Sequence, residues 1–255
     1  MNGAFYIGAV GLDAQQQALN VVANNIANIN TTAFKRQTVQ FSSLVSSING
    51  TQNDSTWQTS AAAGGAGVTV GATPTIWTQG ALTQTGQTLD LAIQGDGFLE
   101  VLGPAGSSML WRGGTLSVNS DGYLATSDGT VLRAMVSVPQ SSQNLTISPT
   151  GAVTAQVNGA VRQIGQLDIA LARDPSSIVQ ESSGYYDSPD AGGVLVVKPG
   201  EEGGGTFVQG SLETSNVQLT DEMTNLLLVQ RAYGASAQVV QAGDQLMSII
   251  NGLRR

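Results

Sequence analysis

The sequence contains neither cysteine nor histidine among its 255 residues. These two absences exclude disulfide frameworks, thiolate chemistry, histidine acid–base catalysis and Cys/His metal sites. Charge is also scarce, because 11% of the residues are charged against roughly 25% in an ordinary soluble domain. The net charge is −8 and the ten basic residues are scattered, so we expect no nucleic-acid partner.

Long apolar runs are missing as well. No segment approaches the roughly 20 apolar residues that a membrane-spanning helix needs, so we expect no direct membrane insertion. The run from Ala4 to Val10 is apolar, but no lysine or arginine precedes Lys35, and Asp13 closes the run. A secretory signal begins with positive charge and ends in a small-residue cleavage site. We therefore expect no cleaved signal peptide.

The first region of the chain, residues 2–29, carries a heptad pattern. Every third or fourth residue there falls on one row, which is the seam of a heptad helix. The row consists of Phe5, Ala9, Leu12, Gln16, Leu19, Ala23 and Ile26. Asp13 is the only charge before Lys35, and amides occupy the outer faces where an exposed helix would carry charge. Since buried amides cost far less than buried charges, we predict a helix surrounded by protein on most sides.

The last region, residues 215–252, repeats this pattern. Its first row consists of Leu219, Met223, Leu226, Gln230, Tyr233, Ala237, Val240, Asp244 and Met247. A second row widens the apolar surface and consists of Leu227, Leu228, Val239, Leu246, Ile249 and Ile250. We predict a helix that Ser215 or Asn216 caps, with Asp221 and Glu222 in its early turns.

The middle of the chain, residues 68–214, is predicted to be rich in β-strands. Short apolar runs flank three turn-forming segments, residues 95–97, 119–122 and 148–151, which is typical of hairpins. Residues 46–67 are rich in Ser, Thr, Ala, Gly and Asn and indicate an extended or linker segment.

Three carboxylates in this middle region, Asp90, Asp96 and Glu100, could be imagined as the acid–base pair of a glycosidase. We interpret them instead as turn and solvent-face residues of a hairpin. Residues 95–97 lack the third glycine and the following helix of a phosphate-binding loop. We therefore predict no catalytic, cofactor-binding or metal-binding residue, no cofactor, and no enzyme.

The two terminal helices admit two interpretations. They could form a two-helix hairpin within a monomer, which would bury one stripe of each helix and leave the other faces wet. The shortage of charge all round both helices favours further neighbours, which other copies of the chain or homologous chains would supply. Such heterologous contacts produce rings or open helical filaments.

At this point the motifs identify a family. Residues 11–16 (GLDAQQ), 22–28 (VANNIAN) and 31–36 (TTAFKR) resemble the N-terminal signature of bacterial flagellar rod and hook proteins. Residues 90–98 (DLAIQGDGF) are similar to the central motif of that family. Residues 213–217 (ETSNV), 222–223 (EM) and 230–233 (QRAY) are similar to its C-terminal signature. The resemblance spans nearly the whole chain in the right order.

Within the family, residues 11–16 and 34–37 and the length of segment 46–63 are most similar to the distal rod subunits. A proximal rod subunit or a hook-type protein of the same family remains an alternative. Two residues depart from the family pattern. Ala33 occupies a position where glycine is usual, so a turn that needs φ > 0 would be strained there. Gly234 stands where a larger, often acidic residue is common.

The resemblance implies an α+β fold with long N- and C-terminal helices forming a coiled-coil-like pair and a β-rich central domain of hairpins. Residues 1–30 and 215–255 would be the helical assembly core, 31–71 an extended linker or rod-type insertion, and 72–214 a β-rich outer domain. Segment 46–63 would brace adjacent subunits and stiffen the rod. The predicted subunit-assembly residues are Leu12, Leu19, Asn24, Asn25, Ile26, Asn28, Phe34, Leu219, Met223, Leu226, Tyr233, Val240 and Met247.

The resemblance also implies a function. Members pass unfolded through the flagellar type III export apparatus and assemble into a hollow helical drive shaft that spans the periplasm and transmits torque. The implied partners are further copies of the chain, other rod subunits, the hook protein and the outer bushing rings. Two alternatives of other classes stay open: a secreted β-rich carbohydrate-binding or glycan-cleaving protein, and a passive ring or chaperone component.

Overall fold

A computed structural model of the chain describes residues 2–45, 65–103, 106–140, 142–157, 159–182, 184–187, 193–201 and 203–253. In the order of the sequence, these residues form one long helix, a succession of short strands and a second long helix. In chain order the elements are α1 (Asn2–Ala27), β1 (Gln40–Val45), β2 (Gly65–Ala72), β3 (Leu82–Gln84), β4 (Asp90–Gln94), β5 (Leu99–Leu102), β6 (Ser108–Trp111), β7 (Gly113–Val118), β8 (Leu124–Thr126), β9 (Ser142–Ile147), β10 (Ala152–Val157), β11 (Ala160–Gln166), β12 (Ile169–Ala172), β13 (Val179–Ser182), β14 (Tyr185–Asp187), β15 (Val194–Val197), β16 (Thr206–Gln209), β17 (Ser211–Glu213) and α2 (Leu219–Leu253).

These elements divide into two compact units. The helical unit comprises Met1–Ala27, Gln37–Ile76 and Gln218–Arg255. The β unit comprises Asn28–Arg36 and Trp77–Val217. The predicted α+β class, with a helix at each end and several antiparallel sheets between them, is confirmed.

In the helical unit, α1 and α2 pack side by side in opposite directions. Gly8 faces Val240 and Gly11 faces Ser236, so positions advance along α1 as they recede along α2. A Cβ built on Gly8 would lie 2.7 Å from Cγ2 of Val240. The two backbones therefore approach closely because α1 has no side chain at this position.

The segment expected to be a separate linker, residues 31–71, differs from that expectation in its described part. Strands β1 and β2 form an antiparallel pair, and β2 packs on α1, where Gly67 lies next to Ile7 and Val10. This hairpin groups with the helices, whereas residues 28–36 group with the β unit. Residues 46–63, the proposed brace, lie outside the described residues.

The helix ends follow local chemistry. Helix α1 ends at Ala27, where the backbone N–H of Thr31 donates to the carbonyl oxygen of Asn28 and closes a turn. The hydroxyl of Thr31 also donates to Oδ1 of Asn28 (3.1 Å). The predicted cap of α2 is wrong, because the helix begins only at Leu219. The side chain of Asn216 instead bonds Arg36 and Thr78 inside the β unit.

The described residues of the β unit form two four-stranded sheets, ordered β16-β4-β7-β8 and β13-β14-β6-β5, and three smaller ones, ordered β11-β10-β9, β12-β15 and β17-β3. Neighbouring strands in them run antiparallel. Side chains of these sheets form a dry core in which Leu91, Ile93 and Phe207 have at most 1% of their surface exposed.

Two of the three predicted hairpins are confirmed. Strands β7 and β8 pair across the turn at Gly122, and β9 and β10 pair across the turn at Gly151. The third prediction is wrong, because β4 pairs with β16 and β7 while β5 pairs with β6. Gly95 and Gly97 adopt φ values of +100° and +124° between them, which turns the chain from one sheet into another.

Candidate assembly surface

Helix α1 buries a narrow row of small residues. The row consists of Gly8, Ala14, Ala18, Val22 and Asn25. It is a neighbour of the heptad row predicted from the sequence, whose seven members are all half-buried or exposed. The contact within the chain therefore uses the small residues, and the predicted row remains accessible to other molecules.

The predicted assembly residues of the N-terminal region have different environments. Leu12, Leu19, Ile26 and Asn28 are half-buried, and Asn24 is exposed. Asn25 is buried, because its side-chain amide donates to the carbonyl oxygen of Gln37 (2.8 Å) and its Oδ1 accepts from the Gln37 N–H (3.0 Å). Phe34 is buried within the β unit. The buried side chains of Asn25 and Phe34 thus support the fold of the chain itself.

Helix α2 is apolar on most of its circumference and is poorly covered. The residues that it buries or half-buries are Glu222, Asn225, Leu226, Val229, Ala232, Ser236, Ala237, Val240 and Gly243. Its exposed large apolar residues are Leu219, Met223, Leu227, Leu228, Tyr233, Val239, Leu246, Met247 and Ile249. Large apolar residues on several faces of a helix normally lie inside protein, so this surface is incomplete in a single chain. Four predicted assembly residues belong to the exposed set, while Leu226 and Val240 are half-buried.

The three sequence motifs meet in the β unit at a buried ion cluster of Lys35, Arg112 and Glu213. The Nζ of Lys35 lies 2.5 Å from Oε1 of Glu213, and the Nε of Arg112 lies 3.1 Å from Oε2 of the same carboxylate. All three side chains have at most 4% of their surface exposed. One carboxylate thus holds two cations that would otherwise be buried without a counter-charge.

Backbone groups complete the hydrogen bonding of this cluster. Lys35 donates to the carbonyl oxygen of Thr78 (3.0 Å), and Oε1 of Glu213 accepts the N–H of Gly80 (2.9 Å). Arg112 donates to the carbonyl oxygens of Gly95 and Gly97. The positive φ of both glycines belongs to the same turn that presents these carbonyl groups, so the central motif serves to bind an arginine.

The strand before α2 also binds the segment after α1. The N–H of Ala33 donates to the carbonyl oxygen of Glu213 (2.8 Å), and Oδ1 of Asn216 accepts the N–H of Arg36 (2.7 Å). Ala33 has φ = +56° and is buried. The chain therefore forms a left-handed turn with alanine at this position, at a cost of about 1–2 kcal/mol.

An aromatic cluster covers the ion cluster. Trp77 makes edge-to-face contacts with Phe98 and Tyr186, at ring-centroid distances of 5.3 and 4.9 Å. The hydroxyl of Tyr186 donates to the carbonyl oxygen of Ala33 (3.3 Å), and the guanidinium of Arg112 lies 5.7 Å from the centre of the Phe98 ring. The rings thus pack directly against the residues of the ion cluster.

Burial shifts the pKa values of two groups here. Burial lowers the pKa of the Lys35 amine, an effect that the Glu213 carboxylate opposes and the Arg112 charge reinforces. Burial raises the pKa of the Tyr186 phenol, and the nearby Glu213 charge raises it further.

Two of the three carboxylates considered as catalytic residues, Asp90 and Glu100, have structural partners. The expectation that Asp90 faces solvent is wrong: it is buried and accepts hydrogen bonds from the hydroxyls of Thr85 (2.5 Å) and Thr115 (2.7 Å). Glu100 lies 3.4 Å from the exposed Arg133. Among the described residues, no group of three or more acidic side chains could hold a metal ion. Neither described helix is long and apolar enough to cross a membrane.

The ion cluster was not anticipated from the sequence. One signal for it was available, because Lys35 is one of only two lysines in the chain and follows Phe34 in an otherwise apolar and amide-rich region. Its partner lies 178 positions away, and no local pattern indicates which of the scattered carboxylates it is.

Comparison with protein families matches three segments of the chain. Residues 5–35 match the flagella basal body rod protein family, residues 92–155 match the D1 domain of flagellar hook protein FlgE/F/G, and residues 208–253 match the C-terminal part of flagellar basal body rod FlgEFG proteins. These segments contain the residues of the ion cluster and most of α1 and α2.

Whole proteins with curated descriptions are similar over almost the full length. The flagellar basal-body rod protein FlgG of Agrobacterium fabrum is 37% identical, over 97% of this chain and 98% of its own. The FlgG proteins of Caulobacter vibrioides and of Buchnera aphidicola subsp. Baizongia pistaciae are 34% and 32% identical, over 98% and 96% of this chain and 99% and 96% of their own. The chain belongs to the family of flagellar basal-body rod and hook proteins. Members of this family are structural subunits of the basal body and not enzymes.

Proposed function

We propose that the chain is a subunit of the distal rod, and that its helical unit assembles with neighbouring subunits into a hollow helical shaft. The observation that carries this proposal is the exposed apolar surface of α2. Burying one leucine or isoleucine side chain yields about 1.5–3 kcal/mol, so nine large apolar residues in water represent a strong drive toward association.

The proposed assembly surface combines the exposed residues of α2 with the accessible heptad row of α1. In a single chain α1 contacts α2 through small residues, and we propose that coiled-coil-like packing of the heptad rows forms against neighbouring subunits. Leu12, Leu19 and Ile26 on α1 and Leu219, Met223, Tyr233 and Met247 on α2 support this, because none of them is fully buried within the chain. Asn24, Asn28, Leu226 and Val240 would complete the surface.

The β unit has a different role in this proposal. Its core and ion cluster are closed by the chain's own residues, so it needs no neighbour in order to bury them. We assign residues 72–214 to an outer domain that faces the bushing rings, and segment 46–63 to a brace between subunits. Other rod subunits and the hook protein would adjoin the shaft at its ends, and torque would pass through the packed helices.

The incomplete covering of the helical unit also suits export of the chain before assembly. Before assembly the helices lack the partners that cover their apolar faces, so they are marginally stable and the chain can be threaded through the type III apparatus. On incorporation, the burial of these faces would stabilise both helices and fix the subunit in the periplasmic part of the basal body.

Polymer formation by the purified full-length chain tests the proposal. We expect Leu228→Glu/Leu246→Glu to abolish polymers seen by sedimentation and electron microscopy, since both leucines are exposed on α2. The matched control, Gln238→Glu/Gln245→Glu, adds the same charge at exposed amides of the same helix. It should polymerise more readily than the leucine variant. Polymers of the leucine variant that equal those of the parent would contradict the proposal. Locating the chain in isolated basal bodies by electron cryomicroscopy tests its distal position.

A further inference from the structure

Strand β15 is an apolar strand with one free edge. It pairs with β12 on one side, and no strand in the described part of the chain occupies its other side. Its four residues, Val194 to Val197, carry no charge, and Leu195 and Val196 are 43% and 52% exposed. Native proteins usually protect such an edge with charges or proline, because it is a template for pairing with another strand.

The backbone of β15 presents hydrogen-bonding groups at this edge. On the far side of β12, Ala170 exchanges both backbone hydrogen bonds with Phe98 (2.9 and 2.8 Å). Ala170 lies directly opposite Val196, and opposite residues of an antiparallel pair either bond each other or both point away. The N–H and C=O of Val196 therefore point outward, as do those of Val194.

Clefts lie on both faces of β15. Leu195 lines a cleft of about 390 Å³ that also contains Trp77, Asp96 and two arginines, Arg173 and the Glu213-paired Arg112. Val194 and Val196 line a second cleft on the opposite face. Because side chains of a strand alternate between faces, a strand added to this edge would place successive side chains into the two clefts.

Within the described residues, a matching free edge exists on β11, the outer strand of the sheet β11-β10-β9. Its Val161 is 73% exposed, and Arg162 and Gln163 are exposed as well. Val157 and Ala160 are paired with each other and are the innermost pair of the β10–β11 hairpin. The innermost pair of a hairpin with two intervening residues is hydrogen-bonded, so the next residue, Val161, points its backbone groups away from β10.

We propose that β11 of one subunit adds to β15 of the next as an antiparallel strand, with Val161 opposite Val196 and Arg162 opposite Leu195. In this register the outward backbone groups of the two strands meet. The two exposed valines form a β-branched pair. Arg162 enters the cleft that holds Trp77 and Asp96, where its stem covers apolar surface and its guanidinium meets a carboxylate.

The partner is a second copy because both edges belong to the same chain and differ from each other. Pairing of β15 with itself would be isologous and would stop at a dimer, whereas β11 on β15 leaves a free edge at each end and can repeat. The inference rests on the proposed function, since only an open polymer brings successive copies together in this way.

Disulfide trapping in polymers of the full-length chain tests the register, and the absence of native cysteine removes any background. Hydrogen-bonded antiparallel neighbours have Cα atoms about 5.5 Å apart, which suits a disulfide. We expect oxidised polymers of Val161→Cys/Val196→Cys to give a covalent ladder on non-reducing gels. The control, Val161→Cys/Leu195→Cys, places its thiols on opposite faces and should remain monomeric on the gel.

Three results overturn the inference: no ladder from either variant, equal ladders from both, or dimers from Val196→Cys alone, which would mean that β15 pairs with itself. Polymers without a ladder overturn this contact but not the proposed function, whereas a parent chain that forms no polymers overturns both. As a second readout, we expect Arg162→Glu to raise the critical concentration about tenfold, and Arg162→Glu/Asp96→Arg to restore it. Failure of the charge exchange to restore it would overturn the placement of Arg162.

Discussion

The two units of this chain bury their apolar residues in opposite ways. The β unit covers its core with its own strands and neutralises its buried charges internally. The helical unit covers only a narrow row of small residues and leaves many leucines, methionines and aromatic residues of α1 and α2 in contact with water. The contrast shows that one chain can combine a part that covers its own apolar core with a part that leaves most of its large apolar residues exposed.

We expect the largest loss of stability from a substitution that removes the internal counter-charge of the β unit. Glu213→Gln leaves Lys35 and Arg112 buried without a counter-charge, so we expect a loss of about 3–5 kcal/mol in unfolding free energy. Chemical denaturation followed by tryptophan fluorescence measures it, in a Trp57→Phe background in which the remaining tryptophans, Trp77 and Trp111, belong to the β unit.

The matched control for that substitution is Glu100→Gln. Its partner, Arg133, is 56% exposed, so we expect a loss below about 1 kcal/mol. Equal losses in the two variants would mean that the buried cluster stabilises the unit no more than a surface pair does.

The second prediction concerns the close approach of α1 and α2 in the helical unit. Gly8→Val places a branched side chain where even a Cβ would lie 2.7 Å from Val240, so we expect a loss of about 1–3 kcal/mol. Thermal unfolding followed by circular dichroism at 222 nm reports on the two helices.

Gly11→Ala is the control within the same helix. Its Cβ would lie 3.4 Å from the hydroxyl of Ser236, and alanine favours helix by about 1 kcal/mol over glycine. We expect unchanged or higher stability. A Gly8→Val protein as stable as Gly11→Ala would show that the glycine contact does not set the helix spacing.

The third prediction is a pH dependence of the β unit. The pKa of Tyr186 is raised in the folded protein above its ordinary value of 10.0, so the folded state binds this proton more tightly. The resulting stability is fully present below pH 10.0 and is lost as the pH rises toward the folded pKa, by at most about 1.4 kcal/mol per pH unit.

Tyr186→Phe removes this contribution. We expect its unfolding free energy to fall less steeply between pH 10 and 11 than that of the parent, as measured by urea denaturation at each pH. At neutral pH the variant should lose only about 0.5–1.5 kcal/mol, for the missing hydrogen bond to Ala33. Parallel pH profiles would contradict the burial of the phenol.

We expect the smallest change in stability from a substitution at Ala33, in the segment that leads from α1 into the β unit. In Ala33→Gly, relief of about 1–2 kcal/mol of left-handed strain is offset by a lost buried methyl and by a freer unfolded chain. We expect a net change within about 1 kcal/mol in the fluorescence-detected unfolding. Ala33→Val should lose considerably more, because a β-branched residue adopts φ = +56° poorly. Equal tolerance of glycine and valine would contradict the left-handed turn.

Sequence periodicity predicted both helices and the β-rich middle because these features depend on close neighbours in the chain. Helices depend on residues three or four positions apart, and strands on residues two positions apart. It predicted the turns at Gly122 and Gly151 for the same local reason. The predicted β4–β5 hairpin failed because the turn at Gly95 and Gly97 connects strands of different sheets, and partners such as β16 arrive from more than a hundred residues away.

The assembly residues show the same limit. The shortage of charge predicted that the helices need further protein around them, yet it did not identify which row α1 uses within its own chain. That choice follows from the fit of Gly8 and Gly11 against Val240 and Ser236, and from the cover that β2 provides. Whether the predicted residues contact other subunits stays a prediction.

By itself the sequence determined the fold class, the family and the charge-poor, helical nature of both terminal regions. Composition, hydrophobic periodicity and short motifs reveal these features because they are properties of residues close together in the chain. Only the tertiary structure decided which charges are buried together, that Ala33 adopts a left-handed conformation, and which strand edges remain open. These features depend on groups such as Lys35 and Glu213 that lie far apart in the chain, and desolvation acts on them only once the fold has brought them together.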